Sequence, residues 1–307
     1  MLRQFVRRLS LALVTVFGVL TLVFVTMRVI PGDPAVMLAG LDASPEQITV
    51  MRHKLGIDQP IPVQFVRYIA DVAHGDFGYS IRSSRPVFGE VAPAIENTFK
   101  LVVLTILLAT ALGIGFGLVT ALRPSSLTDH LMSAIAMLGI STPSFFLALV
   151  LTLFFALHLR WLPSIGAGGF EHLILPTLTL TAALMANTTR MTRASLLDVL
   201  NADYMRTAYA KGLRPTRALL WHALPNALIP ILTVAGLQTS YLLGGAALVE
   251  TVFSYPGVGW LLVESIVARD FPVVQAAILF VAFATVLVNL FTDLLYAMLD
   301  PTIRVGT

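Results

Sequence analysis

Six stretches of this chain run for 17 to 27 residues without an Asp, Glu, Lys, Arg or His: residues 9–27, 101–122, 131–157, 173–189, 223–249 and 271–292. Roughly 17–25 apolar residues in a helix cross the hydrocarbon of a bilayer. The stretches are apolar throughout rather than alternating with period two, which predicts helices and not barrel strands. Composition agrees, with 57% hydrophobic and 12% charged residues and a mean hydropathy of +0.84. Soluble domains carry about 25% charged residues. Half that charge cannot cover a water-facing surface, so an ordinary soluble enzyme is excluded, and the apolar content excludes a disordered chain. The first stretch follows Arg3, Arg7 and Arg8, as a signal peptide would. Its apolar run is too long for one, and Met27-Arg28-Val29-Ile30-Pro31 replaces the small residues of a cleavage site. It is expected to be a retained span, 9–29.

Short-loop cations give the orientation. Residues 1–8 hold three arginines, and segment 190–222 holds Arg190, Arg193, Arg206, Lys211, Arg214 and Arg217. The opposing loops are poor: 158–172 has Arg160 and 250–270 has Arg269. Six spans then put the N-terminus, segment 190–222 and the tail 293–307 in the cytoplasm. The net charge of +3 belongs to that membrane face, and no nucleic acid partner is expected.

The outer segment 30–100 is too long for a structureless connection and is expected to be a small helical extracytoplasmic subdomain. Ser44-Pro45-Glu46-Gln47 has the form of a capping box with proline at the first helical position, and Gly56 ends that helix. A second helix starts near Pro62, with Phe65, Val66, Ile69, Val72 and Ala73 on one face and Gly75 after it. The subdomain either covers the outer helix ends or offers a surface to a soluble partner.

Segment 190–222 carries more design than a connector needs. Asp203 is expected to cap a short helix, 204–211. Gly212 supplies the left-handed turn, and Pro215 opens a second helix that runs through Pro225 and Pro230 into the fifth span. Tyr204, Met205, Ala208 and Tyr209 form an apolar stripe. It can lie on lipid headgroups, on another part of the chain, or in a cytoplasmic partner.

Catalytic chemistry is hard to place. There is no Gly-Lys pair for a phosphate-binding loop; the lysines are Lys54, Lys100 and Lys211. There is no cysteine, and no acid or histidine lies in the six stretches, which argues against a nucleophile–base pair and a proton-coupled carrier. The acids Asp33, Asp42, Asp58, Asp71 and Asp76 are scattered through turns, where capping is the expected role. His53, His74, His130, His158, His172 and His222 show no i, i+3 or i, i+4 pair, so no metal is expected. Asn187, Thr188, Gln238, Ser240, Tyr241 and Asn289 either line a pathway or tie helices together. Gly113, Gly115, Gly117, Gly244 and Gly245 permit close helix approach. On these grounds alone a channel or carrier working by itself stays open.

The elbow resembles the cytoplasmic signature loop of permease subunits in binding-protein-dependent ABC importers. That pattern is Glu-Ala-Ala, three residues, Gly, nine residues, Ile-x-Leu-Pro. The chain has its spacing in Arg206-Thr207-Ala208, Gly212 and His222-Ala223-Leu224-Pro225, departing at Arg206, Thr207 and His222. Asp203-Tyr204-Met205-Arg206-Thr207-Ala208 with Ala210-Lys211-Gly212 is similar to the peptide and nickel branch. So are Pro31-Gly32-Asp33-Pro34, Gly75-Asp76-Phe77-Gly78-Tyr79-Ser80 and Gly139-Ile140-Ser141-Thr142-Pro143. The same holds for Val249-Glu250-Thr251-Val252-Phe253-Ser254-Tyr255-Pro256-Gly257-Val258-Gly259, Arg269-Asp270-Phe271-Pro272 and Asp300-Pro301-Thr302-Ile303-Arg304. The resemblance implies an all-α membrane protein with the six-helix type I ABC importer permease fold, its five-helix core spanning 101–292. It implies a second similar permease, two ATPase subunits carrying ATP and Mg, and an extracytoplasmic substrate-binding protein, with no cofactor on this chain. Asp203, Tyr204, Arg206, Thr207, Ala208, Lys211, Gly212 and Pro225 would couple to the ATPases. The setting would be a bacterial or archaeal cytoplasmic membrane. The cargo would be short peptides, with glutathione or a nickel chelate as alternatives.

Overall fold

The chain is almost entirely helical in a computed structural model that describes residues 2–29, 34–40 and 43–299. Helix α1 (Leu2–Val29) is followed by three shorter ones, α2 (Pro34–Ala39), α3 (Pro45–Leu55) and α4 (Ile61–Ala73). The capping box of α3 is present in full. The Ser44 hydroxyl accepts from the Gln47 amide at 3.3 Å, and Gln47 Oε1 accepts from the Ser44 amide at 2.8 Å. Gly56 ends α3 at φ 64°, in the left-handed region that favours glycine. Residues 31–33, Asp42 and the 300–304 motif lie outside the described residues.

Helix α5 (Val87–Leu122) begins fourteen residues ahead of the apolar stretch at 101. Val87, Val91, Ala94, Thr98, Leu101 and Thr105 recur at spacings of three and four and are buried, so the helical period runs unbroken through Lys100. Glu96 and Lys100 sit on the exposed face, joined at 2.6 Å. The last part of segment 30–100 thus lies on α5 and continues without a break into the apolar stretch at 101.

The expected single span over 131–157 is broken. Helix α6 (Leu127–Ser141) and α7 (Ser144–Leu151), which continues as a π-helical turn over Thr152–His158, meet at 106°. Pro143 causes the bend. It has no N–H to continue the ladder, and it holds Thr142 in an extended conformation at φ −86°, ψ 121°. Just before it, Gly139 faces the Ala182 carbonyl of α8, where a Cβ would come within 2.5 Å.

Helix α8 (Glu171–Leu200) lies at the centre, packed by α5, α6, α7 and α11. It runs eleven residues beyond the stretch that ends at Thr189, so Arg190 and Arg193 sit on a helix and not in a loop. The remaining helices are α9 (Asp203–Ala210), α10 (Pro215–Ala218), α11 (Leu224–Val252), α12 (Val258–Val267) and α13 (Phe271–Leu299). Among the described residues, Val87–Leu122, Pro215–Val252 and Phe271–Thr292 are each long and apolar enough to span a membrane, and the bent α6–α7 pair is either a fourth, broken span or a re-entrant loop. The apolar part of α1, Ser10–Thr26, is shorter. Helix α8 reaches the length but carries buried Thr177, Thr179, Thr181, Thr188, Thr189 and Thr192, because protein rather than lipid surrounds it.

Candidate coupling elbow and helix ties

The elbow is built as an α-helix, a left-handed glycine and a second helix. Gly212 has φ 81°, and its amide donates to the Tyr209 carbonyl at 2.9 Å; Leu213 donates to the Ala208 carbonyl at 3.3 Å. These bonds close the end of α9 and turn the chain toward Pro215, the first residue of α10. Between α10 and α11 lies a π-helical turn, Leu219–Ala223. Pro225 follows at the start of α11, and its missing N–H removes the bond that would hold the preceding turn in α geometry.

Two expectations need correction. Asp203 is not the cap of α9: Ala202 holds the capping position in extended conformation, without a side-chain bond, and Asp203 is the first helical residue. An acid there still favours the positive helix end. The apolar stripe also does not act as one surface. Met205 is fully buried, in a cluster with Ala121, Leu196, Ala218, Leu219 and Ile231, and Ala208 is nearly buried one turn further on. Met205 anchors α9 to the ends of α5, α8 and α11. Tyr204 and Tyr209 point outward, with Arg206, Thr207, Lys211 and Gly212 exposed beside them. Arg206 reaches Asp203 at 3.7 Å, and the Thr207 hydroxyl donates to the Asp203 carbonyl at 3.1 Å. Pro225 is exposed at the α11 entrance.

Behind the elbow, Arg193 of α8 grips Asp129 of α6 in a bidentate pair. Nε donates to Oδ1 at 3.0 Å and Nη2 to Oδ2 at 2.9 Å. The Ser125 amide and Ser133 hydroxyl donate to the same buried carboxylate. Asp129 raises the Arg193 pKa further above its ordinary value, chiefly through the hydrogen bond. A planar guanidinium on a carboxylate fixes both angle and distance between the two helices.

Two acids tie the opposite end. Glu250, 0% exposed, accepts from the Thr98 hydroxyl at 2.7 Å and from the Gly259 and Trp260 amides at 2.8 and 3.1 Å. Those amides open α12, so the carboxylate caps that helix from α11. Thr98 accepts in turn from the Val258 amide at 2.8 Å. Asn97 donates to the Pro256 carbonyl at 3.0 Å, and Tyr255 donates to the Asn97 carbonyl at 3.2 Å. Burial first, then the charges of Glu250 and Glu96, push the Tyr255 phenol up to about 12. Gly257 has no room for a Cβ, which would run into the Glu250 carboxylate. Asp270 plays a similar part beside α13: it is buried and accepts from the Ser80 hydroxyl and from the Ile81 and Arg82 amides at 3.0 and 3.3 Å. The motifs 75–80, 249–259 and 269–272 are thus turns stapled by carboxylates.

The polar residues of the spans do not converge within this chain. Gln238 is buried, and its Nε2 donates to Thr188 at 3.3 Å, tying α11 to α8. Ser240 donates to Asn289 at 2.7 Å between α11 and α13, on an exposed side. Tyr241 is largely exposed and Asn187 half-buried. Glu250, Asp129 and Asp270 were not singled out as site residues by sequence reasoning. A signal existed for the first: an acid closing a span, followed by Pro-Gly-x-Gly, is an acceptor placed beside a forming helix N-terminus.

The long apolar helices and the helix–glycine–helix elbow set this bundle beside the membrane subunits of transport systems. The chain belongs to the binding-protein-dependent transport system inner membrane component family, matched over residues 113–305, with the N-terminal family of the same transport systems matched over 1–112. It is a permease subunit of a binding-protein-dependent ABC importer and a multi-pass inner-membrane protein. Systems of this family work with ATPase subunits and a substrate-binding protein. It is 45% identical over 304 residues to the glutathione transport system permease protein GsiC of Escherichia coli (strain K12), with 99% of each chain covered. It is 44% identical, with the same coverage, to that of Salmonella paratyphi A. Among solved structures, the inward-facing MetNI methionine ABC transporter matches with a TM-score of 0.60 at 18% identity. That match covers 69% of this chain and 97% of the other, which establishes the type I importer permease fold.

Proposed function

We propose that this chain is one of two similar permeases in an ATP-driven importer that carries short peptides, glutathione among them, into the cytoplasm. The observation that carries the cargo is the 45% identity, over essentially the whole length, to permeases of glutathione transport systems. An uncharged passage suits a zwitterionic peptide: strong fixed charges would hold it in the membrane, whereas a weakly polar lining lets it leave. Tyr241 and Asn289, exposed in this chain, and the half-buried Ser240 and Asn187 supply such a lining, facing the second permease across the passage. Gln238 serves as a helix tie. Tyr204, Arg206, Thr207, Tyr209 and Lys211 meet one of two ATPases, and Met205 and Ala208 hold that surface to the bundle. Six spans, cytoplasmic termini and an outer segment that meets the substrate-binding protein complete the reading, in a bacterial membrane.

The test is uptake by the reconstituted complex. ATP-dependent accumulation of labelled glutathione or dipeptides, abolished without the binding protein, is expected. Transport of a nickel chelate with no peptide uptake would replace the cargo. Flux without ATP would replace the class by a channel.

A further inference from the structure

We infer that α4 is an interfacial helix whose strip of Pro62, Val63, Val66 and Ala70 lies in the outer leaflet of the bilayer. Its apolar arc is wider than the part that packs on the protein. Phe65, Tyr68, Ile69 and Val72 are half-buried. The next strip around the helix is apolar and exposed, with Val63 51% and Val66 67% accessible. Exposed valines on a helix in water would carry a cost that lipid removes.

The depth is fixed by α1. The Phe65 ring lies edge-on to Phe17 at 6.0 Å and to Phe24 at 5.0 Å, and Tyr68 lies 5.6 Å from Phe24. Phe17 and Phe24 both belong to the apolar part of α1, Ser10–Thr26. Helix α4 therefore crosses α1 at the level of its apolar stretch and not beyond its end. The neighbouring surface of α1 is apolar and exposed, with Leu22 at 66% and Val25 at 50%. On this inference that surface meets the acyl chains, and the α4 strip continues it.

The polar strip of α4 flanks the apolar one, and Val63 borders a small cleft with Gln64 and Arg67. Gln64, Arg67 and Asp71 line a cleft of about 580 Å³ between α3, α4, the 76–84 turn and the start of α13. Gln64 accepts from Arg28 Nη2 at 2.8 Å there. One helix thus presents a wetted polar strip and an apolar strip side by side, with Val63 and Arg67 at their border, the division that a helix lying along a membrane surface shows. A soluble partner would have to cover both the α4 strip and the lipid face of α1.

The chain has no cysteine, so single-cysteine variants are free of background. Val63→Cys, Val66→Cys and Asp71→Cys, each carrying an NBD fluorophore, are compared in the full-length protein within its complex in liposomes. Phospholipids brominated on the upper acyl chain should quench positions 63 and 66 about twofold or more and leave 71 nearly unchanged. Ala70→Cys replaces either strip variant that fails to assemble. Absent quenching with blue-shifted emission at 63 and 66 would put a protein on the strip and overturn the inference. Water-like emission that shifts only on adding the binding protein would also overturn it, in favour of a soluble partner.

Discussion

The Glu250 carboxylate receives the Thr98 hydroxyl at 2.7 Å across 152 positions of sequence, and this contact joins α5 to the last turn of α11. Removing the carboxylate strands the Gly259 and Trp260 amides and the Thr98 hydroxyl together. An unsatisfied buried polar group costs about 1–3 kcal/mol. Glu250→Ala should therefore lower the melting temperature of the purified complex more than Thr98→Val, and Gly257→Ala should resemble Glu250→Ala. Equal, unshifted melting curves for all three would show that the turn is held by something else.

The Arg193–Asp129 pair should act as one unit. Arg193 is about a third exposed, so the coupling is expected to be modest, about 1 kcal/mol. Asp129→Asn and Arg193→Met should each destabilise, and the double variant should cost less than their sum. Arg193→Lys should recover only part, because an ammonium cannot bind both oxygens in parallel. A double-mutant cycle on thermal stability measures this, and strict additivity would count against the pair.

In the elbow, Gly212→Val forces a β-branched residue into the left-handed region, at roughly 1–2 kcal/mol or more. Insertion should be normal while ATPase co-purification or coupled uptake falls. Met205→Ala opens a cavity under α9, with a cost of about 2–5 kcal/mol if the cluster does not collapse. Ala208→Arg should unseat α9 from its own bundle rather than block a partner. Tyr204→Ala and Tyr209→Ala should leave folding intact and weaken the ATPase contact. Wild-type ATPase retention and uptake in Gly212→Val and both tyrosine variants would remove the elbow from coupling.

Orientation can be read with one label. Asn201→Cys lies at the exposed end of α8, on the cation-rich side. An impermeant maleimide should miss it in intact cells and modify it in inverted vesicles. Labelling in intact cells would reverse the topology.

What was legible in the sequence was local. The Ser44–Gln47 box and the Gly212 turn each need residues within a few positions, and both could be read directly. The start of α5 could not be read from hydropathy, because Glu90, Glu96 and Lys100 interrupt an apolar run while leaving the buried face intact. The α6–α7 bend was hidden for the opposite reason: Pro143 is invisible to a scale that counts only charge and apolarity. Arg193 appeared as one more loop cation, since its partner lies 64 positions away. Long-range pairing of this kind leaves no periodic trace.

A Cβ on Gly113 would sit 2.5 Å from the Thr188 Cβ, and one on Gly117 would meet the Thr189 carbonyl at 2.8 Å. With backbones this close, α5 and α8 cannot slide past one another and must tilt as a single blade. From Ala121 at the elbow to Thr98 at the Glu250 tie, α5 rises about 35 Å. Each degree of tilt about the elbow then sweeps the far end through roughly 0.6 Å, at a length set by helical rise alone. On the proposed coupling at the elbow, the separation of these two residues sets the gearing between the ATPase stroke and the far end, and lengthening α5 should change the stroke without touching either end.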